Sequence, residues 1–70
     1  MLGLVLFYCL IADPNQCDAA LVAGGFVHER QCRELSTLLI AGWLAGHPGA
    51  DVRRVMCAEN PQFVLNAWKA

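Results

Sequence analysis

The spacing of apolar residues changes period along this chain, and each change marks an element. From Gly3 to Ile11 the run Gly-Leu-Val-Leu-Phe-Tyr-Cys-Leu-Ile puts branched and aromatic side chains on both alternating faces, then stops at Asp13-Pro14-Asn15-Gln16. This pattern predicts a central strand buried on both sides. A reversal follows, with Pro14 at the favoured second turn position and Asp13 and Asn15 bonding back to the backbone. Cys17 to Ala23 reads as a weaker second strand, because its alanines lower β propensity; Gly24-Gly25 interrupts it and Phe26-Val27 resumes it after a bulge.

From Gln31 to Ala45 the period becomes helical, with Cys32, Leu35, Leu38, Leu39, Gly42, Trp43 and Gly46 on one broad stripe. Gly46 is expected to take a left-handed cap position, and Pro48 cannot continue the helix. Asp51 to Cys57 reads as a third strand with Val55 and Cys57 on one face and Val52 and Met56 on the other. Arg53 and Arg54 mark it as an edge. Asn60-Pro61 then opens a short turn or helix carrying Phe63, Val64, Ala67 and Trp68.

These elements predict a small α/β fold of the α+β kind. Residues 1–58 form a single ββαβ domain whose sheet is covered by one helix, and residues 59–70 form an aromatic C-terminal tail. The tight first connection makes the first two strands antiparallel, and the crossover helix brings the third parallel to the second. A helix of this length spans about 22 Å and a seven-residue strand about 23 Å, so the layers match.

Composition narrows the function classes. The chain has 70 residues, 57% hydrophobic and 16% charged, with a formal net charge of -1. That is enough for one domain and too little for an independent second lobe around a deep catalytic cleft, so a non-enzymatic role without a cofactor is expected. With 5 Lys and Arg in total, no basic stripe is available for nucleic acid or for a membrane surface. Leu2 to Ala12 has no Lys or Arg before it and ends without a small-x-small site, so it reads as a strand and not as a signal peptide. It is also roughly half the ~20 residues a spanning helix needs. A cytoplasmic location is the resulting expectation.

The 4 cysteines, Cys9, Cys17, Cys32 and Cys57, contain no C-x-x-C pair, and no metal site is expected. In the predicted fold Cys9 and Cys17 sit at one end of the sheet and Cys32 and Cys57 at the other, about 20 Å away, too far for one ion. Reduced thiols packed as small hydrophobes are the first reading for a cytoplasmic chain. Two disulfides, Cys9 with Cys17 and Cys32 with Cys57, are the alternative that geometry permits. Cys32 would be the most reactive thiol, in the first helical turn near Arg30 and Arg33, although burial opposes the thiolate. His28 could pair with it or simply face solvent. Gly24-Gly25 and Gly46 to Gly49 lack the lysine and spacing of a phosphate loop.

The segments Cys-Leu-Ile-Ala-Asp-Pro-Asn-Gln-Cys at 9–17, Gln-Cys at 31–32, Ala-Gly-Trp-Leu-Ala-Gly-His-Pro-Gly at 41–49 and Val-Arg-Arg-Val-Met-Cys at 52–57 resemble a group of short four-cysteine bacterial and phage-associated proteins. The resemblance covers most of the chain but not the tail. It implies a shared small fold and a mobile-element origin, and it carries over no catalytic residue.

On the predicted helix, Ile40 and Leu44 fall opposite Leu35, Leu39 and Gly42, where a monomer would leave them wet. The expected function is a small protein-binding module, an accessory or inhibitor of a phage or mobile element, acting on a protein partner or as a homo-oligomer. Ile40 and Leu44 would form its contact. Phe63 and Trp68 either dock on the open sheet face or anchor the partner. The alternative is a thiol-based redox or zinc-binding protein.

Overall fold

The structure is a computed structural model that describes residues 1–69. It contains β1 (Leu2–Leu10), β2 (Cys17–Phe26), α1 (Glu29–Ala45), β3 (Ala50–Ala58) and α2 (Pro61–Lys69). The strands form one sheet in the order β2-β1-β3, with β1 antiparallel to both neighbours. β2 and β3 therefore run in the same direction on either side of β1. The α+β class, the central first strand and the edge position of the third strand all follow the apolar pattern. Leu4, Val5 and Leu6 of β1 are completely buried because the strand is covered on both faces.

Alternation along β1 assigns the two helices to opposite faces. On the even-numbered face, Leu4 clusters with Phe26 and with Cys32 of α1, and Leu39, Ile40 and Cys57 pack against this group. Further along, the Tyr8 ring meets Trp43 of α1 at 5.1 Å. On the odd-numbered face, α2 docks: Trp68 lies 4.9 Å from Phe7, and Pro61 sits over Gly3. The tail thus completes the second layer through Trp68, while Phe63 stays 68% exposed.

Gly3 is what lets α2 approach. A Cβ built there would lie 2.7 Å from Cγ and 2.9 Å from Cβ of the rigid Pro61 ring, and 3.1 Å from Leu21. Gly3→Ala is accordingly expected to cost about 1–3 kcal/mol in urea unfolding, with a change in Trp68 fluorescence as the helix shifts outward. An unchanged midpoint would show that α2 does not rest on this position.

The first reversal forms as its residues dictate. The Gln16 N–H donates to the Asp13 carbonyl at 2.9 Å, the Asn15 N–H to Asp13 Oδ1 at 3.3 Å, and the Leu10 N–H to the Gln16 carbonyl at 2.9 Å. Near the far end of β2 the register shifts between Leu2 and Leu4, where Gly25 takes a φ of 82° that only glycine adopts without strain. β2 therefore continues through the glycine pair to Phe26, which is buried in the core.

The third strand departs from simple alternation. Phe7 pairs with Arg54 and Tyr8 with Val52, leaving Arg53 as an extra residue. Beyond this bulge Val52 lies on the same face as Val55 and Cys57, not on the face of Met56 as the sequence predicts.

Helix α1 starts two residues earlier than the periodicity predicts, at Glu29, and ends at Ala45 as expected. Its end is not the left-handed cap predicted for Gly46, whose φ is -89°. Instead the Gly46 and His47 amides bond to the Trp43 and Leu44 carbonyls, tightening the last turn, and His47 Nδ1 lies 2.8 Å from the Trp43 carbonyl. The helix is also rotated relative to the predicted stripe, by rather less than one residue step of about 100°. Cys32 is fully buried, Ile40 packs on the core and Leu44 is half-buried, whereas Leu38 is 72% exposed and Leu35 partly so.

All four cysteines are paired, Cys9 with Cys17 and Cys32 with Cys57. The expectation of reduced thiols is thereby corrected in favour of the pairing that strand and helix ends permit. Cys9 and Cys17 are direct partners in the β1–β2 ladder, while Cys32 and Cys57, with Cα atoms 6.2 Å apart, tie the first turn of α1 to β3.

Candidate functional site

The residues expected to bind a partner do not converge. Ile40 and Leu44 lie on α1 and Phe63 and Trp68 on α2, across the sheet from one another. Ile40 is turned inward with Leu39, so it belongs to the core and not to an outer contact face. Leu44, half-buried, is no longer the exposed residue that the predicted stripe made it. Trp68 covers Phe7 and keeps 48% of its surface, leaving Phe63 as the more exposed aromatic of the tail.

The cysteines form two separate covalent ties and no thiol site. Cys32 is bonded to Cys57, so the Cys32–His28 nucleophile pair weighed from the sequence does not exist in this oxidised chain. Among the described residues, no three His, Cys, Asp or Glu side chains are grouped to hold a metal ion.

What the fold does present is two free sheet edges of different character. On β3 the edge carries Asp51, Arg53 and Arg54, with Arg53 Nε 3.0 Å from Asp51 Oδ2, and it is bent by the bulge. On β2 no charged side chain occurs from Ala19 to Val27. Both edge strands are interrupted by bulges, so charge separates them: charged side chains protect an edge against pairing with another chain, and the β2 edge, without charge from Ala19 to Val27, is the less guarded of the two. The flanks of α1 differ in the same sense. Glu29, Arg33 and Ser36 face Val55 and Cys57 of β3 across a hollow of about 420 Å³, and Arg33 pairs with Glu29 at 2.9 Å. The opposite flank, toward β2, carries the exposed Leu35 and Leu38.

Two further surfaces have chemical content. A depression of about 380 Å³ at the Cys9–Cys17 end is lined by Tyr8, Asn15, Gln16 and Asp18. Beside it the Trp43 ring is flanked by Tyr8 and by His47, which stacks on it at 4.0 Å and 9°. On the α2 face a smaller cleft of about 250 Å³ is lined by Phe7, Trp68, Arg53 and Arg54. Neither surface follows from the apolar pattern of the sequence. The spacing of Trp43 and His47, four residues apart across the end of α1, is a signal that could have exposed the stack. The cleft has no local signal, because it depends on a bulge and on a distant helix.

Compared with known protein families, curated proteins and solved structures, the chain matches none.

Proposed function

We propose that this protein is a small, non-enzymatic, disulfide-stapled binding module that pairs through the β2 edge and the adjoining Leu35–Leu38 flank of α1, and that its partner is a second copy of the chain. The observation that carries this reading is the contrast between the charged β3 edge and the β2 edge, uncharged beyond Asp18, beside exposed leucines. Two-fold pairing of β2 with itself is electrostatically permitted. An axis through Ala19 or Ala20 sets Asp18 opposite Ala20 or Val22 and never opposite its own copy. Leu35 and Leu38 of the two helices would then meet above the joined sheets, a mode that combines main-chain hydrogen bonds with apolar burial.

The place of action that fits the two disulfides is an oxidising compartment, in place of the cytoplasm expected from the sequence, because cytosolic thiol buffers keep such pairs reduced. The thiol-redox or zinc-binding alternative finds less support, since every cysteine is engaged and zinc thiolates would require both bonds to be reduced first.

Light scattering of the oxidised chain at tens of micromolar is expected to give twice the 7.6 kDa chain mass. Leu38→Glu should return the monomer while leaving the far-ultraviolet spectrum unchanged, because Leu38 is exposed in the single chain. A wild-type monomer under these conditions overturns the self-pairing.

A further inference from the structure

From the cleft on the α2 face, we propose that this protein also binds a small apolar carboxylate between the Phe7 and Trp68 rings and the guanidinium groups of Arg53 and Arg54. In a regular ladder, successive residues point to opposite faces, so Arg53 and Arg54 would diverge. The bulge opposite Phe7 changes this, and both arginines line one cleft of about 250 Å³ whose remaining walls are the Phe7 and Trp68 side chains. Edge protection would account for a charge on β3 in either direction. It does not account for two successive arginines lining one cleft with the same pair of aromatic side chains.

The two arginines that border the cleft are unequally satisfied. Arg53 is held by Asp51 at 3.0 Å, whereas Arg54 makes no ion pair among the described residues. A guanidinium is a planar fork of donors that matches a carboxylate with two parallel hydrogen bonds, and an apolar surface beside it excludes water from that pair. The ligand this chemistry selects has one carboxylate and an apolar body about the size of a single ring, since the cleft is smaller than the usual ligand site of about 300 Å³ or more. A free organic acid and the terminal residue of a peptide both present that group.

The probe is N-acetylphenylalanine, added to the oxidised full chain at low millimolar concentration and read by the indole N–H resonances of Trp68 and Trp43. The expected result is a saturable shift of Trp68 with Trp43 unmoved, because Trp43 lies on the other face of the sheet against Tyr8. The amide of the same compound, which lacks the charge, should bind at least about tenfold more weakly, as should the acid on an Arg54→Gln variant. Arg54→Lys should recover part of the affinity. Arg54 is exposed on an edge strand, so these substitutions leave the fold intact, which the unchanged remaining spectrum verifies.

Phenylacetate and a short peptide ending in phenylalanine with a free C-terminus distinguish the sources. Tighter binding of the peptide assigns the site to a chain terminus, and equal binding assigns it to free acids. Absence of a Trp68 shift, equal binding of acid and amide, or a matching response to inorganic phosphate would each overturn the proposal.

Discussion

Replacing Cys32 and Cys57 together by alanine is expected to destabilise the oxidised chain by about 3–4 kcal/mol, against about 2–3 kcal/mol for Cys9 and Cys17. The ordering comes first from chain entropy, since the two bonds span sequence separations of 25 and 8 residues. Packing widens the gap. Cys32 is fully buried beside Leu4 and Phe26, so the alanine pair leaves a void in the core on the α1 side, whereas Cys17 is exposed. Topology widens it again: Cys9 and Cys17 are already ladder partners beside a hydrogen-bonded turn, but Cys32 and Cys57 form, among the described residues, the only side-chain cross-link between α1 and β3. A chain of this size has about 4–10 kcal/mol of total stability, so the first loss removes a large share of it. Urea unfolding of the two double variants checks the order, and thiol titration of the denatured wild type should find no free thiol. Equal losses would mean that α1 is held by its apolar face and not by the bond.

How far the fold could be read from the chain depended on the range of the interaction responsible. Period-two and helical spacing, the Asp13-Pro14-Asn15 reversal and the Asn60-Pro61 start are local, and they placed β1, the first turn, α1 and α2 within a few residues. Asn60 Oδ1 accepts the Phe63 N–H at 3.4 Å, as its sequence position implies. The rotation of α1 was not legible. Its second half is apolar on most sides, so hydrophobicity alone left several faces eligible. Cys32 bonded to Cys57 and Trp43 against Tyr8 select the one that turns Ile40 inward and Leu38 outward.

The bulge at Arg53 was hidden for a related reason, since it is a mismatch of register between β1 and β3 and has no signature in β3 alone. The candidate surfaces inherit that limit. Reading Arg53 and Arg54 as edge charges was sound, but their convergence on Phe7 and Trp68 requires the bulge and α2 together. The redox state of the cysteines lay outside the spacing as well. Sheet geometry put each pair within reach, while an assumed compartment favoured the reduced form.

A pair of leucine substitutions measures the rotation of α1 and the weight of the central strand together. Leu4→Ala is expected to cost about 2–5 kcal/mol, because Leu4 is fully buried on β1 and lies between Phe26 and Cys32, where a tied helix and a paired strand cannot both collapse into the space. Leu38→Ala should change stability by no more than about 0.5 kcal/mol, since at 72% exposure it leaves no cavity and removes little packing. Both unfolding curves must be taken at concentrations low enough to keep the chain monomeric. Otherwise a dimer joined near Leu38 would add its own dependence to that variant. If Leu38→Ala proves as costly as Leu4→Ala at such dilution, α1 is turned toward the leucine stripe and Ile40 faces solvent. The flank assigned to self-pairing would then be Ile40 and Leu44, as the periodicity of the sequence first indicated.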